Sequence, residues 1–513
     1  MFSKVMSACL HGLEGMMVNV EVDISTGLPQ VEMVGVLAAE VREARERVRT
    51  ALKNSGYLIP ARRITVNLSP ADVRKEETGF DLPIAVGIIS SLGVLPQSSL
   101  ADVMIVGELS LDGTVRPING VLSIVDGARK AGVRRCYVPK ANAAEGAVVE
   151  GIEVVGTESI GQMIGYLQHP KEAQPVTVDT QGLLLGHEDG YDVDFSEING
   201  QAALKRAAEV AAAGMHNLLL IGPPGSGKTM LARRIPTILP SVTLEESIEI
   251  TRIYSICGLL PKDSPLILKR PFRSPHHTVS SSALTGGGLV PKPGEVTLAT
   301  HGVLFLDELP EFQKNSLEIL RQPLEDRCIT IARVHGSYTY PSNFMLVAAM
   351  NPCSCGYYPD MNLCRCSRRE INRYLGRISR PLLDRIDICM EAPKIPCSEL
   401  QLQAPNRQNE TSAKIRARVE RARRIQEERF KGDAIRFNSE ITGKKLHRYC
   451  RLDQAENALM QKVFETMELS ARGYHRIVKV ARTIADLDGS EKILERHLSE
   501  AVCYRSVDQK FWG

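Results

Sequence analysis

Residues Leu218-Leu-Leu-Ile-Gly222-Pro-Pro-Gly225-Ser-Gly227-Lys228-Thr229 constrain this chain more than any other stretch. Four apolar residues run into G-x-x-x-x-G-K-T, and a helix-forming Met230-Leu-Ala follows. The order strand, glycine-rich turn, helix is the setting in which backbone N–H groups turn toward phosphate oxygens. The pattern predicts that Gly222, Pro223, Pro224, Gly225, Ser226 and Gly227 wrap the phosphates of ATP. Lys228 would reach the β- and γ-phosphates, and Thr229 would help to hold Mg²⁺. Such a turn works at the end of a buried parallel strand, so the chain must supply more strands of that kind, with helices between them.

It does so twice more. Val303-Leu-Phe-Leu-Asp307-Glu308 is a buried strand that ends in two carboxylates. Asp307 is placed to organise Mg²⁺ and Glu308 to polarise an attacking water. Phe344-Met-Leu-Val-Ala-Ala-Met-Asn351 is a third apolar run ending in an amide, and Asn351 could orient that water against the γ-phosphate. The predicted architecture over 191–397 is a doubly wound α/β nucleotide-binding core.

With 513 residues, 43% hydrophobic and 24% charged, the chain has material for several domains, and a disordered chain is excluded. The formal charge is only +3, so a nucleic-acid surface would have to come from local clustering. The apolar run Leu82–Leu95 is shorter than the ~20 residues of a membrane helix, and Met1–Leu10 lacks the shape of a signal peptide. The expectation is a cytoplasmic protein without a membrane partner. Residues 1–170 read as a separate α/β unit. Its strands are Met17–Ile24, Ile64–Leu68 and Met104–Leu109, and its helices Ala38–Asn54, Leu82–Leu95 and Gly120–Ala131. Residues 171–190 and 398–412 read as polar linkers, and 413–513 as a helical domain, with helices at Ala413–Phe430, Ala455–Glu468, Gly473–Leu487 and Ser490–Arg505.

Four of the twelve cysteines form C-x-C-x8-C-x-C at Cys353, Cys355, Cys364 and Cys366. Thiolates at that spacing can close a tetrahedral structural Zn²⁺ site. His276 and His277 are adjacent, and a loop or hydrogen-bonded turn explains them better than a metal does. Cys364–Arg385 carries a local net charge of +5, and so does Ala413–Arg436. Both stretches fit phosphate-backbone contact, and equally a solvated helix face or subunit contacts. Arg327–Val334 alternates like a strand and Ser337–Tyr340 could return as its partner, which makes a hairpin with Arg333, Val334 and His335 near the tip. The segment Pro265–Pro293 reads as another insertion, with Gly286-Gly-Gly288 and Lys292 as a candidate loop.

Together these stretches resemble the magnesium-chelatase-like branch of the AAA+ ATPases, of the ComM/YifB type. The resemblance rests on Phe272-Arg-Ser-Pro-His-His-Thr278, Gly286-Gly-Gly-Leu289, Pro293-Gly-Glu295, Gly302–Phe312, Ala349–Cys353, Pro381-Leu-Leu-Asp-Arg-Ile-Asp387 and Val480–Asp486, in family order. It spans essentially the whole chain. It implies that Arg385 is an arginine finger completing a neighbour's ATP site, and that Arg472 is the sensor-2 arginine, with Arg476 a weaker candidate. It also implies an N-terminal unit similar to the Lon proteolytic domain (ribosomal S5 domain 2-like). Leu122 stands where Lon has its lysine and the serine turn is missing, so that unit is expected to scaffold or position DNA. Lys292 and Arg333 are then candidate pore-loop contacts to DNA. The implied function is an ATP-dependent translocase or helicase that works as a hexameric homo-oligomer. It would act on single-stranded and branched DNA and promote branch migration during natural transformation (competence). The alternative is a chelatase-type remodelling motor acting on a protein partner, although the sequence has no Asp-x-Ser-x-Ser metal-adhesion motif.

Overall fold

The computed structural model describes residues 1–71, 75, 78–186, 190–261, 264–288, 291–333, 336–394 and 409–512. The chain divides into two compact units, Met1–His187 with Thr243–Leu268, and Glu188–Val242 with Lys269–Gly513.

The first unit is built on a seven-stranded mixed sheet. Its order is Gln30–Val34, Arg63–Ser69, Glu14–Ser25, Phe2–His11, Val103–Ile105, Arg135–Pro139, Glu153–Thr157. In Glu14–Ser25 the alternating Val18, Val20, Val22 and Ile24 all face inward, each fully buried aliphatic contributing about 1.5–3 kcal/mol. Helix Asp81–Ser91 is buried on every side, and a Cβ on Gly87 would lie 2.7 Å from Val22 Cγ2. Only glycine permits that closeness of helix to sheet.

Strand Phe2–His11 has no clean apolar alternation, because Ser3 and Ser7 lie on its buried face. Ser3 Oγ donates to the Gly87 carbonyl at 2.7 Å, which satisfies the hydroxyl inside the core. The stretch expected as one strand, Met104–Leu109, is split between Val103–Ile105 and a separate pairing of Glu108–Leu109 with Val115–Arg116. Of the segment expected as a linker at 171–190, residues 171–186 pack onto this unit instead. Ala173 is buried, Val176 N–H donates to the Val154 carbonyl, and Thr180–Leu185 is helical. Helix Leu244–Ile256 groups here too, through Arg252–Asp126 at 3.2 Å and Ser255 Oγ donating to Glu145 at 2.5 Å.

The second unit holds a five-stranded, all-parallel sheet in the order Phe272–Arg273, Val303–Leu306, Met345–Met350, Leu218–Ile221, Ile388–Glu391. Phe272–Arg273 lies inside the stretch read as an insertion, so part of that stretch is the sheet's edge strand. Helices Ser412–Arg429, Gln454–Thr466, Ala471–Leu487 and Glu495–Trp512 follow. Their apolar faces share one core with the sheet: Val419, Ile477, Val480 and Leu498 pack with Leu218, Val303 and Val347. Ser412 therefore opens a helix seated on the sheet domain, and residues 398–408 of the expected linker lie outside the described residues. Among the described residues no helix is long and apolar enough to cross a membrane.

Candidate nucleotide site

Strand Leu218–Ile221 is buried along its whole length between two parallel neighbours. At its end a Cβ on Gly222 would stand 2.3 Å from the Ala392 carbonyl oxygen, so the turn must start on glycine. Gly225 and Gly227 have φ of 75° and 80°, and helix Lys228–Arg234 starts directly after them.

Lys228 Nζ donates to the carbonyl oxygens of Gly222 (2.7 Å) and Pro223 (2.9 Å) and lies 3.4 Å from Asn351 Oδ1. Burial holds this ammonium below the usual lysine range, with Asp307 opposing the shift. Thr229 Oγ1 donates to Asp307 Oδ2 at 2.8 Å, and the Glu308 N–H donates to Asp307 Oδ1 at 2.9 Å. Both oxygens of Asp307 are thus fixed, one of them by the hydroxyl with which it would share a cation. Pro224–Met230, Asp307, Glu308, Met350 and Asn351 enclose a cavity of about 410 Å³. It offers an ammonium, a hydroxyl–carboxylate pair of hard oxygens suited to Mg²⁺, and a second carboxylate for water.

Glu308 has φ 52°, a left-handed conformation that costs a non-glycine residue about 1–2 kcal/mol. Its Oε2 lies 3.3 Å from His277 Nδ1. The His277 ring is flanked by His276 at 4.1 Å between centroids and by the edge of Phe312 at 6.4 Å. His276 makes the expected local turn, with Nδ1 2.9 Å from Thr278 Oγ1. His277 is the residue that sequence reasoning missed. No local signal in the sequence gives this contact: it follows from strand pairing, in which Phe272–Arg273 runs parallel to Val303–Leu304 and the residues beyond each strand meet.

Arg385 and Arg472 do not line this cavity. Both line a second one of about 540 Å³, together with Arg476 and Lys479. The Arg385 guanidinium is held by Glu325 and donates to the carbonyls of Arg321 (3.1 Å) and Pro381 (2.7 Å). Arg472 is exposed at the start of helix Ala471–Leu487. Arg476 is buried and donates to the carbonyls of Leu383 and Ile386, on either side of Arg385, so it props the segment that carries Arg385.

The four cysteine sulfurs all lie within 4.8 Å of one another. Cys353 and Cys364 are 3.8 Å apart, and Cys355 and Cys364 3.6 Å. A tetrahedral Zn²⁺ with bonds of ~2.3 Å spaces its sulfurs by about 3.8 Å, so the donor set fits zinc.

Cys328–Arg333 and Gly336–Pro341 form the expected antiparallel hairpin. Val334 and His335 lie outside the described residues. Arg333 Nε donates to the Gly288 carbonyl at 3.2 Å, and Lys292 pairs with Gly287, so the two candidate loops meet. The basic helix Ser412–Arg429 spends much of its charge internally. Arg416 donates to the Thr237 carbonyl, Arg418 pairs with Glu209 and Glu410, Arg429 pairs with Asp486, and Arg423 covers the Phe437 ring at 3.7 Å. In the other basic stretch Arg377 pairs with Glu311, while Arg365, Arg368, Arg369 and Arg373 are exposed.

Three family models match the chain in succession. They are "Subunit ChlI of Mg-chelatase" over residues 20–142, "Magnesium chelatase, subunit ChlI" over 194–400, and "Magnesium chelatase, subunit ChlI C-terminal" over 409–505. Competence protein ComM of Haemophilus influenzae is 41% identical across 98% of this chain and 97% of its own length. The chain belongs to the magnesium-chelatase-like ComM/YifB family. Another similar protein is the uncharacterized protein YifB of Escherichia coli, 41% identical across 97% of this chain and 96% of its own length. Lon protease 2 of Bacillus subtilis is 24% identical over 165 residues, 30% of this chain and 29% of its own length. The fold of this ComM/YifB member is accordingly a Lon-like α/β unit with an AAA+ parallel-sheet core and a helical C-terminal region. Its chelatase-like AAA+ core is that of an ATPase family.

Proposed function

We propose that this protein is an ATP-driven motor that translocates on single-stranded and branched DNA and promotes branch migration of recombination intermediates. The observation that carries the motor part of the reading is the division of the catalytic parts between two cavities, and the DNA part is supported by the ComM relative. Lys228, Thr229, Asp307, Glu308 and Asn351 share one cavity, while Arg385 and Arg472 share another with no lining residue in common. A chain built this way completes each ATP site across a subunit boundary, as in a homo-oligomeric ring, which we take to be a hexamer. ATP and Mg²⁺ bind in the first cavity, with Asp307 and Thr229 on the metal and Glu308 as base. Asn351 orients the water, and Zn²⁺ in the four-cysteine knuckle is structural. The adjoining loops carrying Arg333 and Lys292 touch the DNA backbone, and the N-terminal unit positions the strand. The name of the ComM relative supports placing this work in competence.

The test is ATP-dependent migration of a three-strand DNA junction. Wild type should migrate it. Arg333→Ala combined with Lys292→Ala should lose migration and retain ATP hydrolysis without DNA. Absence of both migration and DNA-stimulated hydrolysis in the assembled wild type would instead favour a chelatase-type remodelling motor acting on a protein.

His277 positions the Glu308 carboxylate in this reading. His277→Ala should lower kcat for ATP by about tenfold to a hundredfold with KM nearly unchanged, because only the water-activating group is displaced. An unchanged kcat would remove His277 from the site.

A further inference from the structure

We infer that the cysteine knuckle is a metal-dependent brace for the phosphate loop, so that zinc occupancy sets the affinity for ATP. The inference rests on reading Gly222–Thr229 as the nucleotide site. Between Cys353 and Cys366 the chain forms only turns, with no helix or strand to hold its shape. Met361 and Leu363 are 69% and 50% exposed, so apolar packing contributes little to its cohesion. What organises the segment is sulfur: four thiol groups converge, and the Tyr358 N–H points at Cys353 Sγ from 3.4 Å.

This segment rests directly on the phosphate loop. Gly356, at φ 87° in the turn after the first cysteine pair, abuts the ring of Pro224. A Cβ at Gly356 would lie 2.6 Å from Pro224 Cδ and 3.0 Å from Pro224 Cγ. The same loop leaves the strand just after Asn351, which faces Lys228. On its other flank the Tyr358 ring meets the edge of Phe511 at 6.0 Å, in the C-terminal helix Glu495–Trp512. The knuckle is therefore a wedge between the phosphate loop and the helical region. Four metal–sulfur bonds would set its thickness. Without them the turn at Gly356 loses its anchor, and Pro224 and the loop amides lose the surface that keeps them in register with a phosphate.

The experiment uses the full chain and a fluorescent ATP analogue, with zinc counted by mass spectrometry. Wild type should carry about one zinc per chain. Removing zinc with a chelator, or by Cys364→Ser, should weaken analogue binding about tenfold or more while thermal unfolding still shows a folded protein. Gly356→Ala should weaken binding with the zinc content unchanged, because it keeps the thiolates and pushes on Pro224. Wild type purified from zinc-replete cells without zinc would overturn the metal site. Zinc-free protein and Gly356→Ala that bind the analogue like wild type would overturn the brace. Lys228→Ala separates the two readings: it should lose the analogue and keep its zinc, and if it binds normally the nucleotide reading itself has failed.

Discussion

Lys228→Ala will abolish ATP turnover, and Glu308→Gln will abolish hydrolysis while sparing nucleotide binding. The two losses have different physical origins. Lys228 Nζ is a buried cation whose partners are loop carbonyls and, at longer range, Asn351. A triphosphate offers that ammonium much stronger partners, and the negative charge developing on the γ-phosphoryl group strengthens them further. Removing the ammonium therefore costs both binding and rate, about 10²–10³-fold or more in kcat. Among the described residues no hydrogen bond or ion pair joins the Glu308 carboxylate to Thr229 or Lys228. Its carboxylate faces the same cavity beside His277, so its loss removes water activation, about 10²–10⁴-fold, without touching the phosphate grip. Steady-state ATPase rates and equilibrium binding of a nucleotide analogue measure both effects. Glu308→Gln hydrolysing ATP at the wild-type rate would move the base elsewhere.

The second large effect is expected at Arg385. Arg385→Ala should reduce ATP hydrolysis by about 10³–10⁵-fold, the usual contribution of an arginine supplied across an interface. Its own subunit's nucleotide binding should be normal, because Arg385 does not line the Lys228 cavity. In this structure the guanidinium is paired with Glu325. Reaching a neighbour's γ-phosphate means exchanging that carboxylate for a phosphate oxygen, a substitution of like charge that makes the switch inexpensive. The decisive measurement mixes two inactive proteins. Lys228→Ala subunits keep Arg385, and Arg385→Ala subunits keep an intact phosphate loop. Mixed assemblies should recover hydrolysis that neither variant shows alone. Absence of recovery in assemblies shown to contain both would place Arg385 in its own subunit's chemistry or in packing.

Much of the site could be read from sequence because its chemistry is local. The phosphate loop, the Asp307–Glu308 strand end, Asn351 and the two Cys-x-Cys pairs each fit within a few residues. Backbone geometry fixes what such short stretches can do: glycine where φ is positive, apolar runs where a strand is buried on both faces. The amphipathic helices Ala39–Asn54 and Ala471–Leu487 were legible for the same reason, since their periodicity is set by 3.6 residues per turn. The strand Phe2–His11 was not, because Ser3 inside a core is tolerated only through a hydrogen bond to a residue 84 positions away.

The sequence by itself determined that a nucleotide loop, an acidic strand end and a four-thiol knuckle exist, because each depends on residue type and short-range spacing. Tertiary structure alone decided how they meet. The parallel order of Phe272–Arg273 beside Val303–Leu306 brings His277 to Glu308, and Gly356 sets the knuckle on Pro224. Arg476 buried beneath the loop holds Arg385 in a cavity apart from Lys228. Helix Leu244–Ile256 lies in sequence between the phosphate loop and the acidic strand, yet it packs with the N-terminal unit because Asp126 and Glu145 there answer Arg252 and Ser255. Pairings of this kind join residues far apart along the chain, and no local backbone preference encodes them.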